Sequence, residues 1–162
     1  MDEVRLRPMT QSEFDALRAQ LIVDYAAEHV AAGNWDAGEA ETLAAEQTDQ
    51  LLPQGVDTPG VLMRVAETSA GERVGHLWLA LERRPGQGGG AWIYDIAIEA
   101  EHRGRGHGRA LLRAAEDEAR RHGVTAIGLN VFGSNAVARR LYESAGYQAA
   151  TVQMRKELGP AD

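Results

Sequence analysis

Cysteine is absent from the 162 residues, which excludes disulfides, thiolate metal sites and a cysteine-bound covalent intermediate. Long apolar runs are missing too. None approaches the roughly 20 residues a membrane-spanning helix needs, so no membrane partner is expected. The opening residues, Met1-Asp2-Glu3-Val4-Arg5, lack the apolar stretch of a secretory signal, and the expected compartment is the cytoplasm. Basic residues are outnumbered, 17 Lys and Arg against 24 Asp and Glu, for a net charge of -7. A nucleic-acid binder would ordinarily carry the opposite sign, so no nucleic-acid partner is expected.

What is present is the composition of a globular protein, 44% hydrophobic and 25% charged, at a length that fits one domain over residues 1–162. The positive charge is concentrated. Arg103, Arg105, Arg109 and Arg113 follow His102 with no acidic residue among them. In an acidic protein such a segment suits a small polyanionic ligand held at one place.

Hydrophobic periodicity predicts a strand at 4–7, then a helix opened by the capping-box spacing of Thr10 and Glu13, with Phe14, Leu17, Leu21 and Tyr25 on its apolar face. Gly33-Asn34 ends it. Asp36 and Glu39 predict the cap of a second helix reaching Leu51. Two β-like runs, 61–67 and 74–81, flank Ser69-Ala70-Gly71 and form a hairpin. A flexible turn is expected at 87–90, followed by the strongest strand, 91–98. A helix over 108–122 buries Leu111, Leu112, Ala115 and Ala119 and stops at Gly123. A strand at 126–131, a helix at 135–145 and a final strand or hairpin at 147–158 complete a mixed, largely antiparallel α/β fold around one central sheet.

The chemistry centres on Arg103-Gly104-Arg105-Gly106-His107-Gly108-Arg109, between a strand and a helix. Alternate glycines permit a tight turn and leave backbone N–H groups unobstructed at a helix N-terminus, where phosphate binds well. A nucleoside-triphosphate loop needs Lys and then Ser or Thr after its glycine, and here Gly108 precedes Arg109 and Ala110. The dinucleotide fingerprint fails as well, because its third glycine falls on Arg109 or Leu111.

The remaining pattern, Arg103-x-x-Gly106-x-Gly108 after a strand, resembles the pyrophosphate-binding signature of the GNAT superfamily of acyl-CoA N-acetyltransferases. The likeness continues through Val131-Phe132-Gly133-Ser134-Asn135 and Leu141-Tyr142-Glu143-Ser144-Ala145-Gly146-Tyr147, and covers residues 61–158. It implies a central sheet splayed between its fourth and fifth strands, acetyl-CoA as co-substrate with no metal, and a primary amine as acceptor. Coenzyme binding would then involve residues 103 to 109, the main chain of Ile96, Ala97 and Ile98, and Asn135 and Tyr142.

Asn135 and Tyr142 are seven residues apart, so on a helix they share a face about 10 Å long. The resemblance assigns Asn135 to the thiol-bearing arm and the Tyr142 hydroxyl to the sulfur as general acid. Spacing alone favours a helix cap at Asn135 and a packing aromatic at Tyr142, and the resemblance reverses this for Tyr142. For the general base, Asp95 is the nearest carboxylate, with Glu28 and His29 more remote. Some ribosomal-protein acetyltransferases place a glutamate where this chain has Asn130, which cannot be a base. His102 and His107 lack metal-site spacing and are expected to be phosphate neighbours or solvated. Trp35 is expected in the core or the acceptor wall, Trp78 and Trp92 in the core. A non-catalytic acyl-CoA-binding module and an Arg/Gly nucleic-acid binder are the competing readings. Acceptor identity stays open, as does the choice between a monomer and the homodimer common among relatives.

Overall fold

The computed structural model describes residues 3–83 and 89–161. Chain order is β1 (Val4–Pro8), α1 (Gln11–Ala31), α2 (Ala40–Leu51), β2 (Val61–Thr68), β3 (Arg73–Ala80), β4 (Ala91–Ile98), α3 (His107–Arg121), β5 (Ile127–Leu129) and α4 (Ala136–Ser144). Single 3-10 turns at Gly55–Asp57 and Ala100–His102 bend the connections. The strands pair in sequence order as one sheet, antiparallel except that β5 lies parallel to β4.

Local chemistry explains the boundaries. Thr10 Oγ1 accepts from Glu13 N, and the Glu13 carboxylate accepts from Thr10 N, a complete capping box that satisfies two donors at the start of α1. Asn135 caps α4 by accepting from Ala138 N at 3.2 Å. The stripe foreseen for α3 is buried in full: Leu111, Leu112, Ala115 and Ala119 pack with Val74, Leu77, Leu79, Ala91 and Ile93. The opposite sheet face presents Met63, Val65 and Trp78 to Phe14 and Leu17 of α1. The sheet is thus covered on both faces, as its apolar strands require.

Three expectations change. α2 begins at Ala40, because residues 37–39 form a turn containing Gly38 and no side chain caps the helix. On α1 the buried position near the C-terminus is Ala26, and Tyr25 stands at 36% exposure. Residues 148–161 form no strand. The adjoining β5 has only three residues, and Val152, Met154 and Leu158 lie exposed, so the alternation of the tail finds no edge to pair with. Instead Arg155 donates to the Gly33 carbonyl at 2.8 Å, tying the tail to the end of α1. The turn foreseen at 87–90 falls partly outside the described residues.

Candidate active site

Gly104 and Gly106 adopt φ of 75° and 84°, the left-handed region where a side chain is strained. Gly106 is the N-cap of α3 and offers no side chain to its first-turn amides, and no acidic residue lies in that turn. Those amides have no intrahelical acceptor, so they form a donor nest at the positive end of the helix dipole. Arg105 is exposed beside them. Arg103 donates from Nε to the Ile98 carbonyl at 2.9 Å, which anchors the loop to the end of β4. The Arg109 side chain reaches α4 and donates to Ser144 Oγ at 2.6 Å, so it links two helices.

His102 and His107 are buried, not solvated, with ring centroids 6.4 Å apart and neither Nδ1 hydrogen-bonded. The imidazole of His107 is packed beneath the turn. Toward a ligand it offers its amide, as a first-turn residue of α3.

The sheet opens beside this loop. β4 pairs with β5 only at Ala91, Trp92 and Ile93, whereas Ile96, Ala97 and Ile98 pair with β3 alone. A bulge marks the transition: Trp78 faces Asp95 and Leu79 faces Ile93, so Tyr94 is the extra residue. Tyr94 accordingly packs with Trp78 on the α1 side, their ring centroids 4.8 Å apart, while Ile96 and Ile98 join the α3 side. The bulge re-aims Asp95 toward His76 of β3. Gly75 makes the close strand approach possible, since a Cβ there would collide with the Ala97 carbonyl. His76 Nε2 and Asp95 Oδ2 are hydrogen-bonded, with side-chain exposures of 14% and 28%.

Tyr142 of α4 is half-buried against the α3-side core and lies 5.9 Å from the ring of Tyr147. The Tyr147 hydroxyl donates to Glu116 at 3.1 Å, bracing that pair from behind. Burial, and secondarily the Asp95 charge, raises the Tyr142 pKa above the ordinary phenol value. The same carboxylate is felt on α1: Glu28 is raised first by burial and then by Asp95 and Asp24. Three elements therefore converge electrostatically on Asp95.

Next to Glu28, His29 stacks on Trp35 at 4.0 Å and meets Tyr25 and Phe132 edge-on. Its Nδ1 pairs with Asn34 at 3.0 Å, its Nε2 is without a partner, and burial lowers its pKa. Trp35 thus joins an aromatic cluster bridging the end of α1 to the β5–α4 loop. Trp78 is buried in the core, whereas Trp92 is partly exposed with the Arg83 guanidinium 3.8 Å above its ring. Asn130 and Asn135 are exposed.

Of the residues named from sequence, the fold gathers Asp95 and Tyr142 electrostatically, places Ile96 to Ile98 at the opening and sets Gly104 to Arg109 at its rim. His76 belongs to neither sequence motif, and Tyr147 closes the second without a role of its own. The available signal for His76 was a polar residue inside an otherwise apolar strand, Val74 to Ala80. Among the described residues one group has metal-ligand proximity, Glu99, Glu101 and His102, and its Glu99 is engaged by Arg73 at 2.6 Å.

A sheet parted between a bulged fourth strand and a parallel fifth, with an uncapped helix start at the parting, is the frame of a GNAT acetyltransferase. The chain belongs to that family, matching the acetyltransferase (GNAT) family over residues 20–147. It is 35% identical over 156 residues to the N-acetyltransferase YycN of Bacillus subtilis (strain 168), covering 96% of this chain and 99% of that one. The crystal structure of YycN superposes with a TM-score of 0.89 at 34% identity, over 97% of this chain and 99% of the other. The ribosomal protein bS18-alanine N-acetyltransferase of Escherichia coli (strain K12) is 41% identical over 63 residues, 39% of this chain and 43% of its own. The protein is an acetyltransferase, and no helix among the described residues is long and apolar enough to cross a membrane.

Proposed function

We propose that the chain moves acetyl from acetyl-CoA directly to a primary amine within a ternary complex. The observation that carries this reading is the position of Asp95, whose charge bears on both Tyr142 and Glu28 where β4 parts from β5. The pyrophosphate binds the amides at the start of α3, with Arg105 adding charge and Arg103 holding the turn. The acyl-bearing arm lies along Ile96, Ala97 and Ile98, and a main-chain N–H there stabilises the thioester oxygen as it gains charge.

The acceptor arrives as an ammonium, with an ordinary pKa near 10 for an alkyl amine. Carboxylates at Glu28 and Asp95 favour that cation on binding, and Asp95 accepts its proton. The freed lone pair attacks the carbonyl carbon. As the C–S bond breaks, the Tyr142 phenol donates a hydrogen bond to the departing thiolate. A phenol held above its usual pKa keeps its proton at neutral pH, which suits it to that donation.

Incubation with acetyl-CoA and a panel of amines, with thiol release as the signal, tests the reading. Acceptor-dependent release that falls about 100-fold in Tyr142→Phe supports it. No release with any amine, despite coenzyme binding, overturns it.

A further inference from the structure

The least expected contact of the site is the hydrogen bond between His76 Nε2 and Asp95 Oδ2. His76 stands opposite Ala97 on one side, and on the other opposite the buried Val65 of β2. It shares the α1-facing surface of the sheet with Trp78 and, through the bulge, with Asp95. His76 sits on β3, one strand further from the β4–β5 opening than Asp95, and its imidazole is the less exposed member of the pair, at 14% against 28%. This order, imidazole behind and carboxylate in front, suits a group that acts through Asp95 and never touches the acceptor.

We propose that His76 is a positioning residue for acetyl transfer: it fixes the Asp95 carboxylate toward the acceptor amine and receives, through that carboxylate, the proton the amine gives up. The inference rests on the transfer reading above. The proton balance supplies the motive. An ammonium must lose one proton before its nitrogen can attack and a second as the amide forms. The second neutralises the thiolate that leaves with the C–S electron pair. The first needs another acceptor, and a carboxylate alone is a weak base for an amine. An imidazole is a stronger base than a carboxylate, and a direct hydrogen bond lets the carboxylate pass the proton on. The imidazolium then returns it to solvent once the product amide, which carries no charge, has formed.

Other titratable groups face the pair: Glu28 of α1 and Tyr142 of α4 feel the Asp95 charge, and Tyr25 of α1 and Tyr94 of β4 lie next to these, Tyr25 interacting with Glu28 and with Tyr94. Glu28 is the main competitor, because burial and the Asp95 charge both raise it. The experiment must therefore separate His76 from Glu28.

The pH dependence of kcat is measured for the parent chain, His76→Gln and Glu28→Gln, with melting temperature and acetyl-CoA affinity recorded for each. Glutamine retains a donor near the Nε2 position but does not titrate. The expected result is a kcat for His76→Gln lowered about tenfold at neutral pH, with acetyl-CoA affinity within about twofold of the parent. Its acidic limb should lose one ionisation, and Glu28→Gln should keep that limb. Superposed profiles for the parent and His76→Gln overturn the inference and leave the transfer reading standing. A limb that vanishes only in Glu28→Gln does the same. No amine-dependent thiol release from the parent overturns both.

Discussion

Arg109 of α3 donates to Ser144 Oγ of α4 at 2.6 Å, and that hydroxyl donates in turn to the Leu141 carbonyl at 2.8 Å. The helix whose start forms the amide nest is therefore tethered to the helix that carries Tyr142, two residues before Ser144. The amides at the start of α3 and the phenol on α4 are mechanically linked.

The link separates two roles for arginine. Ser144→Ala removes the tether and leaves every cation in place. It should lower kcat about two- to threefold and keep the acetyl-CoA Kd within about twofold, since an exposed hydrogen bond contributes roughly 0.5–1.5 kcal/mol. Arg105→Ala should raise that Kd about tenfold with little change in kcat, because the lost contact is charge-assisted and made to the ground state. Calorimetry and steady-state kinetics on the two variants check this. Equal effects on Kd would remove the distinction.

Gly106→Ala tests the nest itself. Its φ of 84° costs a residue with a Cβ about 1–2 kcal/mol, so the turn relaxes and the amides lose their common focus. Acetyl-CoA binding should weaken at least about tenfold, while the melting temperature drops only a few degrees. Unaltered affinity would place the diphosphate elsewhere.

Acid stability should depend on Glu13. Its hydrogen bond with Arg7, then the backbone donor at Thr10, lower its pKa to about 2. A carboxyl depressed on folding contributes stability that is complete above its unfolded pKa, near 4.3, and fades as pH falls toward 2. Glu13→Gln keeps a capping-box side chain but removes the charge. Its melting temperature should lie a few degrees below the parent at pH 7, and the two should converge near pH 2. A constant gap across that window would exclude ionisation as the cause.

Sequence alone reveals the parts of this fold that depend on near neighbours in the chain. The Thr10–Glu13 box, the α3 stripe ending at Gly123 and the Asn135 cap each involve residues within a turn or two, and all are observed. The same kind of signal misplaces the start of α2, because Asp36 and Glu39 have cap spacing but Gly38 lies between them. The tail misleads for a different reason. Alternation at Val152 and Met154 reports a residue pattern and says nothing of whether a partner edge exists. His76 was illegible because its meaning depends on the β3–β4 register and on a one-residue bulge, which no local pattern announces. Asp95 could be named as a candidate, but not the imidazole that holds it.

The short ladder between β4 and β5, three pairs and then divergence, has a thermodynamic consequence. Beyond Ile93 the edge of β4 that faces the gap is already extended and rigidly held by β3, so a molecule bearing amides can join it without any new ordering of the protein backbone. In effect the sheet offers a prepaid berth, and the entropy lost on docking falls on the visitor alone. Amide exchange at 96–98 is where such an arrival would first be felt.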